Sequence, residues 1–153
     1  MAKSVRHSSC ETSVIARRKT GNRNRLYSFQ NNFRWKGVKV NEYKTDGDDW
    51  SGIARQVLIG ASGESTKFHL RYFEIKSGGY SSFETHKHEH VVIGIQGRGK
   101  AKLDRRVVEI NCLDVLYINP ETPHRLYNPY DDPFGFFCIV NARRDRPKSV
   151  KKN

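Results

Sequence analysis

Residues 84–97 read Glu-Thr-His-Lys-His-Glu-His-Val-Val-Ile-Gly-Ile-Gln-Gly, and no other stretch of the chain is as specific. The histidines alternate at His86, His88 and His90, and a β-strand places side chains at i, i+2 and i+4 on one face. A further histidine, His124, follows a proline-rich turn. Imidazole is the commonest metal ligand in proteins. The pattern therefore predicts that several imidazole nitrogens and a carboxylate converge on one metal ion.

A solvated edge strand is the alternative interpretation, because surface strands often alternate polar residues. Three features favour a metal site: glycines precede the stretch, the apolar run Val91-Val92-Ile93 follows it, and His124 comes after a rigid turn. Since no cysteine lies nearby, a structural zinc site is not indicated. Histidines with one carboxylate suit one divalent transition metal per chain, which could be Fe, Mn, Ni, Co or Zn.

The remainder of the pattern indicates an all-β chain. Short apolar segments recur between Gly, Pro and Asn residues without a helical period, which is typical of a sandwich or barrel. Asp104-Arg105 suits a hairpin turn. We expect strands at residues 33–43, 55–59, 67–75, 90–95, 100–103, 106–110, 115–118, 125–127 and 134–140.

The positive charge of the chain is concentrated at its ends. The 153 residues carry a net charge of +12, of which residues 1–40 supply +9 and residues 141–153 supply +5, against −2 between them. We therefore expect a basic, partly disordered extension at residues 1–32, one barrel at residues 33–143, and a basic tail at residues 144–153. The tails could bind nucleic acid, but solvated termini are favoured.

Cellular location follows from what the sequence lacks. There is no apolar run of about 18 residues, no secretory signal and no pair of closely spaced cysteines among Cys10, Cys112 and Cys138. We expect a cytoplasmic protein that does not span a membrane.

Residues 57–140 resemble a cupin, a small jelly-roll barrel, of the single-domain type. The second cupin motif reads G-x5-P-x-G-x2-H-x3-N. In this chain Leu113, Asn119 and Glu121 replace its Gly, Pro and second Gly, while His124 and Asn128 match its metal-binding His and its Asn. The resemblance implies that His124 is a metal ligand.

The first motif, G-x5-H-x-H-x3,4-E-x6-G, fits in two registers. The gap-free register matches Gly78, Glu84, His86, His90 and Gly97. It implies the ligand set Glu84, His86, His90 and His124, with His88 lining the pocket. The other register pairs His86 with His88, and the alternation of the histidines favours His86, His88 and His90. Both remain open.

The resemblance also places one face of the strand at residues 67–75 toward the cavity. Arg71 and Phe73 lie on that face, and Arg71 either binds a carboxylate substrate or forms a salt bridge at the rim. Cys138 either lines the pocket or is a small buried hydrophobe.

Cupins include dioxygenases, decarboxylases, sugar isomerases and non-catalytic binding proteins, and fold alone does not choose among them. The resemblance implies a metalloenzyme for a small anionic or phenolic substrate, with oxygenase-type chemistry leading and decarboxylation or isomerisation behind. The alternative is a ligand- or metal-sensing module whose basic tails bind nucleic acid or an acidic partner. We also expect a homodimer in which residues 33–43 cover a sheet edge.

Overall fold

A computed structural model describes residues 24–44 and 49–150. Within these residues the chain contains eleven β-strands and no helix, which confirms the all-β prediction. The strands are β1 (Asn41–Glu42), β2 (Ser51–Ile59), β3 (Phe68–Tyr80), β4 (Glu84–Thr85), β5 (His90–Gln96), β6 (Gly99–Leu103), β7 (Arg106–Ile110), β8 (Val115–Ile118), β9 (His124–Tyr127), β10 (Phe134–Asn141) and β11 (Lys148–Ser149).

All strand pairs are antiparallel, and together they form a nearly closed barrel. One part of the sheet has the order β1-β2-β3-β10-β5-β8, and the other has the order β7-β6-β9-β4-β11. The two parts meet where Tyr80 of β3 pairs with Tyr127 of β9. This pair joins the short strands β4 and β9 to the sheet that holds the long strands β3 and β10.

The interior of the barrel is apolar at its centre. Branched and aromatic side chains from four different strands pack there, each at most 2% exposed: Ile75, Ile110, Ile118, Phe134 and Val140. Burial of side chains of this size contributes about 1.5–3 kcal/mol each. This packing fixes the frame on which the polar end of the interior is built.

Eight of the nine predicted strands are present with small changes at their ends. The exception is residues 33–43, where the strand prediction was wrong for all but Asn41 and Glu42. Trp35 forms an isolated bridge with Phe29, and Phe33 and Trp35 lie against Tyr72 on the outer face of β3. These aromatic side chains pack against the outside of the barrel. The alternation of apolar residues in this segment arises from that packing and not from a strand. The homodimer stays a prediction.

The two ends of the chain differ in how much is described. Residues 1–23 of the predicted extension lie outside the described residues. By contrast, residues 142–150, most of the predicted basic tail, pack along the barrel, and β11 pairs with β4. Within the described ranges there is no helix long and apolar enough to cross a membrane.

Candidate metal centre

Three histidines meet inside the barrel, each at or next to the end of a different strand. His86 directly follows β4, His90 begins β5, and His124 begins β9. One ring nitrogen from each lies within 4.8 Å of the others. His86 and His124 are both 4% exposed. Two separate strand groups thus bring their imidazoles to one point, as the sequence predicts.

The outer hydrogen bonds of two of these rings fix their tautomers. Nδ1 of His86 lies 2.8 Å from the carbonyl oxygen of His88, and Nδ1 of His124 lies 2.8 Å from that of Thr122. A carbonyl can only accept, so each Nδ1–H donates, and each neutral ring keeps an unprotonated Nε2. Backbone carbonyls orient metal-binding histidines in this way.

The third ring has two polar neighbours of different kinds. Nε2 of His90 lies 2.7 Å from Nε2 of His86, and its Nδ1 lies 3.1 Å from Sγ of Cys138. Because Nε2 of His86 is an acceptor, His90 donates to it, and the thiol of Cys138 donates to His90. The other tautomer of His90 donates to the sulfur and leaves Nε2 free for a cation. The donor set therefore fits a divalent metal.

Burial keeps these rings uncharged near neutral pH. Loss of solvation, followed by the charges of neighbouring histidines, lowers the pKa of His86 to about 4. The pKa values of His90 and His124 are also lowered, chiefly by burial. A metal ion binds the neutral form of imidazole. Because these three rings are already neutral at pH 7, they need not release a proton before a cation binds.

His88 does not join the three-histidine group. The chain bends at Lys87 and His88 rather than continuing as a strand, yet the ring of His88 lies 5.2 Å from that of His90 between centroids. Ligation by His88, as the alternation favours, stays a prediction. The ring of His88 stacks on that of His86, with 3.7 Å between centroids, and its Nδ1–H donates to Asp145 at 2.9 Å. His88 therefore supports the ring of His86 and lines the same cavity.

Glu84 lies beside the group but has another partner. It pairs with His124 across the β4–β9 ladder, and its carboxylate accepts a hydrogen bond from the ammonium of Lys44. The three rings form a group without the carboxylate of Glu84. Ligation by Glu84, as the gap-free register implies, stays a prediction.

The histidines open into a cavity of about 220 Å³. The predicted pocket residues Arg71, Phe73 and Cys138 all line it. Cys138 is both pocket-lining and buried, and burial raises the pKa of its thiol. Arg71 contacts this sulfur through Nη2 at 3.4 Å, and among residues 24–44 and 49–150 it has no carboxylate partner.

Several cavity residues were not predicted from the sequence: Tyr43, Lys44, Arg55 and Arg144. Arg55 lies opposite Phe73 in the β2–β3 ladder, so alternation along β2 could have identified it. Arg144 lies in the basic tail, where a charged residue gives no signal of its own. Burial and the nearby Glu84 raise the pKa of Tyr43, which keeps its phenol protonated at neutral pH.

The turns that carry the second motif keep the conformation that glycine usually provides. Leu113 and Glu121, which replace the two motif glycines, have φ angles of 70° and 63°. The N–H of Glu121 donates to the carbonyl of His86 at 2.7 Å. The turn before His124 is thus tied directly to the first histidine.

Comparison with known proteins agrees with this geometry. The family model described as a cupin domain matches residues 71–140. The 1-methylthio-D-xylulose 5-phosphate methylsulfurylase of Rhodospirillum rubrum is 40% identical over 121 residues, which cover 78% of this chain and 76% of the relative.

Two solved structures have the same fold. A cupin-2 domain of Rhodospirillum rubrum has a TM-score of 0.72 and 37% identity, covering 83% of this chain and 84% of that one. A cupin 2 conserved barrel domain protein of Rhodopseudomonas palustris has a TM-score of 0.76 and 33% identity, covering 83% and 87%. With its motifs, its barrel and these relatives in agreement, the chain belongs to the cupin family.

Proposed function

We propose that this protein is a metal-dependent enzyme that acts on a small phosphorylated substrate, with 1-methylthio-D-xylulose 5-phosphate as the first candidate. The observation that carries the proposal is the opening of three convergent histidines into a cavity that also holds several arginines. The name of the Rhodospirillum rubrum relative supports the choice of substrate.

The residues of the cavity have separable roles in this proposal. His86, His90 and His124 would hold the metal, which when bound supplies Lewis acidity toward an oxygen of the substrate. Arginines supply fixed positive charge for an anionic group. The neutral phenol of Tyr43 faces the cavity and can donate a proton or a hydrogen bond there.

Oxygenase-type chemistry, the leading expectation from the sequence, has no feature of its own in this cavity. The name of the Rhodospirillum rubrum relative points instead to chemistry at a methylthio group of a sugar phosphate. We therefore place transfer of the methylthio group to a small thiol ahead of oxygenation. The C–S bond breaks, the carbon takes up the hydrogen of the thiol, and the two sulfurs form a disulfide.

The test combines metal analysis with turnover. The purified protein would be loaded separately with Mn, Fe, Co, Ni or Zn, and its consumption of 1-methylthio-D-xylulose 5-phosphate in the presence of a small thiol would be followed by phosphorus NMR. We expect about one metal per chain and turnover with at least one metal. His86→Ala and His124→Ala should each lose the metal and the activity while the barrel remains folded.

Lys87→Ala is the matched control, because Lys87 adjoins His86 in sequence but has an exposed side chain. This variant should retain both metal and activity. Binding of the substrate without turnover under every metal would refute the enzyme and favour a sensing module. Equal metal content in the histidine variants and the wild type would refute the site.

A further inference from the structure

Three arginines lie together in the cavity beside the histidines. Arg55 comes from β2 and Arg71 from β3, and Arg144 comes from the C-terminal segment, residues 142–150. In the β2–β3 ladder Arg55 lies opposite Phe73. Arg71 is two residues from Phe73 on the same strand, so the side chains of Arg55 and Arg71 project from the same face of the sheet. Two strands and one terminal segment thus converge on one place.

No carboxylate neutralises these arginines within residues 24–44 and 49–150. The ion pairs of that part of the chain involve other arginines, such as Arg34 with Glu74 and Arg98 with Glu109. The Nε atoms of Arg55 and Arg71 are buried without a hydrogen-bond partner. It costs free energy to leave buried N–H donors of this kind unpaired. We therefore expect a bound ligand to supply the hydrogen-bond acceptor here.

The arginines also act on one another. Burial and the charge of Arg71 lower the pKa of Arg55. Burial and the charges of Arg71 and Arg55 lower the pKa of Arg144 in the same way. Like charges held this close favour a bound anion of high charge, because each guanidinium can donate two hydrogen bonds to phosphate oxygens.

Contacts on two sides hold Arg144 at the cavity. Its Nη1 donates to the carbonyl of Asn141 at 3.2 Å and lies 3.1 Å from Nδ1 of His69. Burial and the arginine charges lower the pKa of His69, so its ring is neutral and accepts this bond. A Cβ at Gly60 would lie 2.1 Å from the ring of His69, so only glycine leaves room for this arrangement.

A second anchor fixes the segment that carries Arg144. The carboxylate of Asp145 accepts bonds from the N–H of Lys87 at 3.0 Å and from His88 at 2.9 Å. Two residues of β11 then pair with β4. The segment is therefore tied to the same short stretch that carries His86.

The arginines lie next to the metal centre but are separate from it. Arg71 contacts Sγ of Cys138, and that sulfur contacts Nδ1 of His90. One side chain thus separates the cations from the histidines. A substrate of a few carbon atoms with an anionic end spans this distance.

We propose that Arg55, Arg71 and Arg144 form a subsite for a dianionic phosphate group, and that the C-terminal segment completes this subsite. The inference rests on the proposed function in assigning the phosphate to the substrate. It goes further in naming the groups that bind it and in giving the basic tail a role at the site.

The experiment measures binding of inorganic phosphate to the metal-loaded protein by calorimetry at low ionic strength. We expect Arg71→Ala and Arg144→Ala to weaken binding about tenfold or more. Acetate should bind much more weakly than phosphate, because it carries one charge. Arg98→Ala is the matched control, since Arg98 is an exposed arginine outside the cavity, and it should bind phosphate as the wild type does.

Arg144 is only partly buried, so Arg144→Ala should fold normally, and its unchanged metal content would verify this. Phosphate binding that is equal in the wild type and both arginine variants would overturn the subsite. Equal binding of acetate and phosphate would also overturn it. Phosphate binding that depends on these arginines in a protein without turnover would uphold the subsite and refute the proposed enzyme.

Discussion

Leu113 and Glu121 adopt a backbone conformation that ordinary side chains avoid. Both have positive φ, and both occupy positions where the cupin motif has glycine. A residue with a Cβ in this region costs about 1–2 kcal/mol. At Glu121 the cost is offset by local bonds: its N–H donates to His86, and its carbonyl accepts from the hydroxyl of Thr85 at 2.8 Å.

Leu113 has one such bond, from its N–H to the carbonyl of Gly94 at 2.9 Å, but its side chain is 77% exposed and adds little packing. Leu113→Gly should therefore raise the free energy of unfolding by about 1 kcal/mol, measured by urea denaturation. Leu113→Ala is the control, because alanine loses the same side-chain contacts but keeps the strain. A glycine variant no more stable than the alanine variant would show that strain is not what limits stability at this turn.

At the scale of elements, residues 29–38 act as a cover for the outer face of β3. Trp35 contacts both Tyr72 and Phe137, with ring centroids 5.1 Å and 5.7 Å apart. The carbonyl of Phe33 accepts a bond from Nε2 of Gln56 at 2.9 Å. These contacts explain why Tyr72 is only 1% exposed although it points away from the cavity.

Trp35→Ala should lower the free energy of unfolding by about 2 kcal/mol, since the ring is partly buried and its aromatic contacts are lost. Lys36→Ala, at the exposed neighbouring position, should change the stability little. Both variants should keep the wild-type metal content, because Trp35 lies on the opposite face of the sheet from the histidines. A loss of metal in Trp35→Ala alone would show that the cover also shapes the interior.

At the scale of the whole molecule, two carboxylates tie the ends of the described chain to the barrel. Partial burial opposes ionisation of Glu64, but hydrogen bonds from backbone N–H groups and from Tyr27 outweigh it and lower the pKa of Glu64 to about 2. The bonds from His88 and from the N–H of Lys87 lower the pKa of Asp145 to about 2 as well. Both groups are therefore ionised at neutral pH.

A carboxyl group whose pKa is lower in the folded state stabilises that state above its unfolded pKa, and this contribution is lost as pH falls toward the folded pKa. The free energy of unfolding should thus decrease between about pH 5 and pH 2. Glu64→Gln should reduce the slope of that decrease in urea denaturation at several pH values. Identical slopes in the variant and the wild type would contradict the role given to Glu64.

The barrel was predictable because turn residues and apolar runs mark its strands directly. His86, His90 and His124 were predictable because motif intervals hold them at strand ends. His88 was ambiguous, since one bend at Lys87 decides whether its ring faces the other three. The partner of Glu84, Lys44, lies 40 residues away in the sequence, and no local pattern indicates that contact. Arg144 was missed because a basic tail gives no sign of whether it docks.

The docked C-terminal segment has a practical consequence for handling the protein. The N–H of Val150 bonds to the carbonyl of Phe83, next to Glu84, which lines the cavity. A polyhistidine tag fused after this segment would add metal-binding imidazoles near the cavity, which would compete for metal and distort stoichiometry measurements. Purification handles belong at the amino end.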